Sequence, residues 1–332
     1  MMANSNLLLI HQGALGDFVA IFPAIMQLKK AYSRIDVLCQ SQLGKLAAAL
    51  GLAGRWFGLE GAHFASLFTD QVDPKINKLL RPYTNIVLFS FSKTLEQSLN
   101  RITEKRCHRI SPKAPAQERI HIVAYVVNNL IKHRLLEKKN ITLEKMITAI
   151  KGNTEAGQRI DQNKILIHPG AGSIRKRWPL ADFLTIETRL KADNLKPEFI
   201  IGPAEGDLVN TLISPGDHVR RVHILAEILD LLALLRSAGG YIGNDSGVSH
   251  LAAFLGLPAT VIFGPADPKR WTPSGHAVEA VRPDLGCDPC FESEKFNCPD
   301  PKCLIKTRPD EVLEAFYRVY QRCAQTHIVG CP

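Results

Sequence analysis

A short apolar run that ends in glycine-bearing residues and leads into an amphipathic stretch recurs along this chain, and few folds accommodate that recurrence. Residues 7–10 read as a strand, Gly13-Ala14-Leu15-Gly16-Asp17 as the loop after it, and residues 17–32 as a helix with apolar side chains at helical spacing. Strand-like 36–39 and 86–89 follow. Alternation of this kind is the pattern of a parallel sheet wrapped by helices. Between about residues 138 and 163 it weakens, with Gly152, Asn153, Gly157 and several charges, which reads as a linker. It then starts afresh. Strand-like 165–168, helical 180–192, strand-like 197–201, helical 228–236, strand-like 240–243, helical 248–255 and strand-like 259–263 come in turn.

Two separate series predict two α/β units, each Rossmann-like and doubly wound, facing one another across a central cleft. A length of 332 residues at 45% hydrophobic content is enough for two cores. The domains are expected at 1–155 and 156–308, the stretch 264–309 being irregular and rich in Pro, Gly and Cys. Residues 309–324 read as a closing helix, with Asp310 and Glu311 suited to its first turn and Arg318 and Arg322 to its end.

In open α/β sheets, ligands sit at the carboxyl ends of strands, where helix N-termini offer free amides to anions. Three loops stand at such places. Gly13 and Gly16 let the first turn tightly, and Asp17 puts a carboxylate at a helix start, where it is either a cap or a functional base. The spacing fits neither the dinucleotide fingerprint nor a Walker loop, which argues against a nicotinamide-dependent oxidoreductase. The second loop, His168-Pro169-Gly170-Ala171-Gly172-Ser173, runs into the three cations Arg175, Lys176 and Arg177. It reads as a diphosphate cradle or as a solvated basic turn. The third is Gly243-Asn244-Asp245-Ser246-Gly247-Val248-Ser249-His250, where Ser246 and His250 share a face if a helix begins near Ser246. Glu205 follows the strand at 197–201, where a carboxylate either bonds ribose hydroxyls or simply starts a helix, as Asp207 could too.

Taken as an ordered set, these segments resemble glycosyltransferase family 9, the bacterial ADP-heptose:lipopolysaccharide heptosyltransferases. The pieces that carry the resemblance are Gly13 to Asp17 with Pro23, His168 to Ser173 with Lys176-Arg177-Trp178-Pro179, Gly243 to His250 with Leu251-Ala252-Ala253, and Phe263-Gly264-Pro265. The resemblance implies a GT-B fold, the acceptor on the N-terminal half, the nucleotide sugar on the C-terminal half, and the 309–332 helix packing back on the first domain. It implies inverting transfer with no cofactor required for catalysis. By motif position Asp17 would be the general base and Lys176 would stabilise the leaving diphosphate. Gly13, Gly16, Gly170, Ser173, Arg177, Glu205, Asp245, Ser246, Gly247 and His250 would bind substrate or nucleotide. The implied partners are a nucleotide diphosphate sugar and a lipid-anchored oligosaccharide acceptor.

Charge and cysteines complete the expectations. Lys plus Arg outnumber Asp plus Glu by 41 to 32, a formal +9 that favours an anionic partner. Phosphates, nucleic acid or an anionic membrane surface would each serve, and a merely solvated basic surface is the plain alternative. Nucleic acid is the weaker choice for want of an aromatic-interleaved or zinc-finger pattern. With the family resemblance, the expected partner is a phosphorylated acceptor or an anionic membrane surface. Apolar runs fall short of the ~20 residues that span a bilayer. Residues 7–10 are followed at once by His11 and Gln12, too short a run for a signal peptide, so the expectation is a cytoplasmic protein, peripheral at the inner membrane face. Four of the eight cysteines, Cys287, Cys290, Cys298 and Cys303, have a spacing open to a structural zinc, but an unmetallated cluster is favoured. Two alternatives stay open: the same fold with a UDP- or GDP-linked sugar, and a nucleotide- or polyanion-binding module without activity.

Overall fold

The structure is a computed structural model that describes residues 5–69, 72–104, 107–115, 117–138, 141–148, 160–213, 220–292, 298 and 301–328. They fall into two compact units divided between Met146 and Ile147. The boundary expected at 155/156 and half of the linker expected over 138–163 lie outside the described residues.

The first unit runs β1 (Asn6–His11), α1 (Leu15–Ala20), α2 (Phe22–Leu28), β2 (Arg34–Cys39), α3 (Ser41–Ala49), β3 (Trp56–Gly58) and a 3-10 turn (Ala62–Phe68). Then come α4 (Pro74–Leu80), β4 (Asn85–Phe89), α5 (Lys93–Ile102), β5 (Cys107–Ile110), α6 (Ile122–Lys132) and α7 (Leu143–Thr148), within which the division between the units falls. The strands form a parallel sheet in the order β3-β2-β1-β4-β5. Leu7, Leu8, Leu9 and Ile10 are all buried, because a central parallel strand is covered on both faces. Leu8, Ile10, Leu38, Ile86 and Leu88 meet Ile76, Leu80, Leu95 and Leu99 on one of those faces. The single helix expected over 17–32 is two helices. Pro23 has no N–H for the carbonyl four residues back, so the chain breaks at Ile21 and restarts with Phe22 and Pro23 in a new first turn.

The second unit runs β6 (Asp161–His168), a 3-10 turn (Ile174–Lys176), α8 (Leu180–Ala192), β7 (Lys196–Ile201), a 3-10 turn (Pro203–Glu205), α9 (Gly206–Leu212), β8 (Arg221–Ile224), α10 (Ile228–Arg236) and β9 (Ala238–Asn244). It continues through α11 (Gly247–Phe254), β10 (Ala259–Ile262), α12 (Pro268–Trp271), β11 (Val278–Val281), α13 (Lys302–Ile305) and α14 (Pro309–Ile328). The sheet is again parallel, ordered β11-β10-β9-β6-β7-β8. Strand β11 lies within the stretch read as irregular. It is four half-buried residues pairing along one edge, too short to carry a pattern. Within the second unit, Val312, Leu313 and Phe316 of α14 join Ile165, Ile167, Ile242 and Ile262 in the core under the sheet. Gly240 makes room for the helix, since a Cβ there would stand 2.9 Å from the Phe316 ring.

Strand order reverses between β1 and β4 in one sheet and between β6 and β9 in the other. Those two reversal points are where a doubly wound sheet opens a crevice at its carboxyl edge.

Candidate active site

In the second unit, β6 ends at His168 and β9 at Asn244, so the loops after them emerge side by side at the reversal point. Asn244 is wholly buried and ties them together. Its Nδ2 donates to the carbonyls of Pro169 at 2.8 Å and Gly170 at 3.2 Å, while its Oδ1 accepts from the Trp178 amide at 3.0 Å. Ser246 caps α11 by accepting from the Ser249 amide at 3.3 Å, and the same hydroxyl lies 3.3 Å from His168 Nδ1. Ser249 Oγ meets Tyr241 OH at 2.9 Å and donates to the Asn244 carbonyl, which pins the start of the helix to the end of the strand. His250 is buried one turn on, its amide bonded to the Ser246 carbonyl at 3.2 Å.

Glu205 lies beneath this loop. It is only 4% exposed, and Oε2 accepts from the Gly202 amide at 2.8 Å and stands 3.7 Å from His168 Nε2. Burial by itself would push this carboxyl up. The His168 imidazole, the Gly202 amide and the Arg177 charge outweigh it, and the group sits below the ordinary carboxylate value. Gly170 is open to the same side chain: a Cβ there would come within 2.3 Å of Glu205 Cδ.

The cations divide their tasks. Ser173 starts the 3-10 turn by accepting from the Arg175 amide at 3.4 Å. Lys176 Nζ donates to Asp245 Oδ2 at 2.7 Å, with side-chain exposures of 19% and 6%. Arg177 is turned into the protein, onto Asp207 at 2.8 Å and the Ala204 carbonyl at 2.7 Å, so it braces the Glu205 segment in this structure. Trp178 anchors the turn from below through Nε1 to the Thr307 carbonyl at 3.1 Å. Of the residues singled out from the sequence, Gly170, Ser173, Lys176, Arg177, Glu205, Asp245, Ser246, Gly247 and His250 are thus gathered at one edge of one sheet.

Gly13, Gly16 and Asp17 belong to the first unit, at its own reversal point. Asp17 is half-buried in the first turn of α1, and its carboxylate lies over Gly13, where a Cβ would meet Oδ2 at 3.0 Å. The loop after β4 joins in: Ser90 Oγ donates to Gln12 Oε1 at 2.5 Å and accepts from the Ser92 amide at 3.0 Å. Sequence reasoning passed over His11. Its ring is buried against Phe18 and Phe89, and Nδ1 accepts from the Gly13 amide at 3.2 Å, so the proton resides on Nε2. Burial lowers its pKa to about 4 against the opposing hydrogen bond with the Asp17 main chain.

Two further residues were missed. Asn244 was read only as part of a polar loop, although carbonyls at 169 and 170 in a buried turn call for a donor. Phe291 left no signal: it lies far along the chain, yet its ring faces Lys176 Nζ at 4.3 Å and the Arg175 guanidinium at 5.3 Å. Of the cysteines, Cys287 and Cys298 are exposed and Cys290 and Cys303 half-buried. Burial, then the neighbouring Cys287, Cys303 and Cys298, push the Cys290 thiol up. Among the described residues no group of three or more His, Cys, Asp or Glu side chains is arranged to hold a metal ion.

Comparison with known proteins agrees with this architecture. Lipooligosaccharide heptosyltransferase 2 of Campylobacter jejuni is 28% identical over 160 residues, 46% of this chain and 49% of that protein. The chain thus spans about half the length of the curated relatives it matches. The solved glycosyl transferase family 9 protein of Veillonella parvula superposes with a TM-score of 0.70 at 15% identity, covering 97% of this chain and 99% of that one. Escherichia coli ADP-heptose lps heptosyltransferase II does so with a TM-score of 0.67 at 16% identity, covering 96% and 99%. At such identities the likeness is one of fold, and two Rossmann-like parallel sheets make that fold GT-B. The profile of glycosyltransferase family 9 (heptosyltransferase) matches residues 86–299, which include the loops at 168–173 and 243–250 but not Gly13 or Asp17. With more than half of its length in that match, the chain belongs to glycosyltransferase family 9.

Proposed function

We propose that the protein is an inverting glycosyltransferase that moves a heptose from ADP-heptose to a lipopolysaccharide core acceptor. The observation that supports this most is Asn244, which draws the Pro169 and Gly170 carbonyls inward. In trans peptides the following N–H groups, those of Gly170 and Ala171, then point the opposite way, which suits a cradle for an anion. Ser246 and Gly247 open α11 beside this cradle, and Lys176 stands next to it on Asp245.

In the proposed reaction Asp17 takes the proton of the acceptor hydroxyl. The hydroxyl oxygen bonds to the anomeric carbon on the face opposite the diphosphate, and the bond from that carbon to the diphosphate oxygen breaks with inversion. Negative charge grows on the departing ADP. Lys176 exchanges Asp245 for it and offsets that charge, with Arg175 nearby, so the step calls for no acid catalyst and no metal. Glu205 reads the ribose through Oε1, Oε2 being committed to the Gly202 amide. Asp245 and His250 border the donor sugar. The acceptor is lipid-anchored, and the formal +9 supports peripheral contact with an anionic membrane.

Incubation with ADP-heptose and a series of truncated lipopolysaccharide acceptors, read by mass spectrometry, should add one heptose to one truncation class. Transfer from UDP- or GDP-sugars instead would overturn the donor assignment. Asp17→Asn should abolish transfer while ADP still binds; unchanged turnover removes Asp17 from the mechanism.

A further inference from the structure

The chain after β11 returns to the Lys176 turn and is fastened at several points. Arg282 donates to the Gly264 carbonyl and to the Cys287 carbonyl, each at 3.0 Å. The amides of Cys290 and Phe291 both donate to the Pro265 carbonyl, at 2.8 and 3.0 Å. Glu292 pairs with the buried Arg270 at 3.3 Å. Between these fastenings the Phe291 ring packs on the apolar cluster of Val261, Phe263 and Ala266. The ring also faces Lys176 Nζ, 4.3 Å from its centroid.

Lys176 is therefore held on two sides, by a carboxylate at 2.7 Å and by an aromatic face. The two holds differ in what they do to its charge. Asp245 neutralises the ammonium and competes with an incoming diphosphate. An aromatic face attracts the ammonium without supplying a counter-charge. A lysine is a point charge on a flexible four-carbon stem, so its reach has to be restricted by something other than the anion it serves.

We propose that Phe291 is a positioning residue for Lys176: its ring keeps the ammonium in place as Lys176 passes from Asp245 to the leaving diphosphate. The inference rests on the reading of Lys176 given above. It assigns the cysteine-bearing segment a task unrelated to metal, that of carrying this ring.

The test is steady-state transfer from ADP-heptose by Phe291→Leu, Phe291→Tyr, Lys176→Met and the double variant Phe291→Leu/Lys176→Met. Leucine keeps the packing on Val261 and Phe263 but removes the π face. Phe291→Leu should lower kcat about fivefold to thirtyfold, with KM for the donor within about twofold and the unfolding midpoint unchanged. Phe291→Tyr, which keeps the ring, should restore kcat. In the Lys176→Met background the leucine substitution should have no further effect, as coupled residues require. Undiminished kcat in Lys176→Met would overturn the reading of Lys176 itself. An impaired Lys176→Met beside a fully active Phe291→Leu would overturn only the role of Phe291. So would a Phe291→Leu that raises donor KM at constant kcat, which marks a nucleobase platform, or one whose loss persists without Lys176.

Discussion

Gly170 is the residue on which the loop geometry turns. A methyl at that position would lie 2.3 to 2.4 Å from Cγ, Cδ and Oε1 of Glu205. Glu205 cannot swing away without leaving the Gly202 amide and the His168 ring. Gly170→Ala should therefore destabilise the fold by about 1–3 kcal/mol and weaken ADP binding. Gly172, where a Cβ meets nothing within 4 Å, is the internal comparison: Gly172→Ala should stay within about 0.5 kcal/mol of the parent. Urea unfolding and calorimetry with ADP check both, and equal effects at the two glycines would refute the argument. His11 yields a prediction in pH. Unfolded, it takes a proton as pH falls through 6.5; folded, it stays neutral down to about 4. The unfolded state thus binds the extra proton first, and stability drains between those values by about 3 kcal/mol in all. His11→Gln has no such titration. Its urea-unfolding free energy relative to the parent should rise by that amount as pH falls from about 6.5 to about 4, whereas a constant difference would mean the buried ring titrates normally.

Elements were the most legible level, and their failures have local causes. The strands at 7–10, 86–89, 165–168 and 197–201 were visible because a sheet covered on both faces needs predominantly apolar runs, a run interrupted at 197–201 by the buried Glu198. The helix at 180–192 and the one at 228–236 kept their boundaries. The first helix divided at Pro23, whose missing N–H was in plain view. Strand β11 was not, because an edge strand of four half-buried residues has no periodicity to read. The closing helix was legible as a helix, while the core it joins under the second sheet was not, since an apolar stripe does not name the surface it covers. Phe316 supplies the test at this level. It is fully buried among the core residues under β9 and β6, against a glycine that leaves it room. Phe316→Ala should cost about 3–5 kcal/mol in urea unfolding through the cavity left behind. A loss below about 1 kcal/mol would mean that the helix is not part of that core.

At the scale of the whole molecule the informative quantity is charge. No helix among the described residues is long and apolar enough to cross a membrane, and the formal net charge is +9. If the acceptor is met at an anionic surface, the protein should sediment with vesicles rich in phosphatidylglycerol. It should be released by salt of about 0.5 M, where exposed charges more than several ångströms apart are screened. Equal binding to zwitterionic vesicles, or binding indifferent to salt, would remove the electrostatic contact. The sequence by itself determined the two-unit α/β plan, the three glycine loops and the identity of most of the candidate site. Those depend on periodicity and on residue types at strand ends, which are local properties of the chain. Only the tertiary structure decided that Asn244 holds two carbonyls of another loop, that Arg177 turns inward and that Phe291 lies against Lys176. Each of these is a contact between segments distant along the chain. Such contacts are selected by the packing of whole sheets, and no local pattern encodes them.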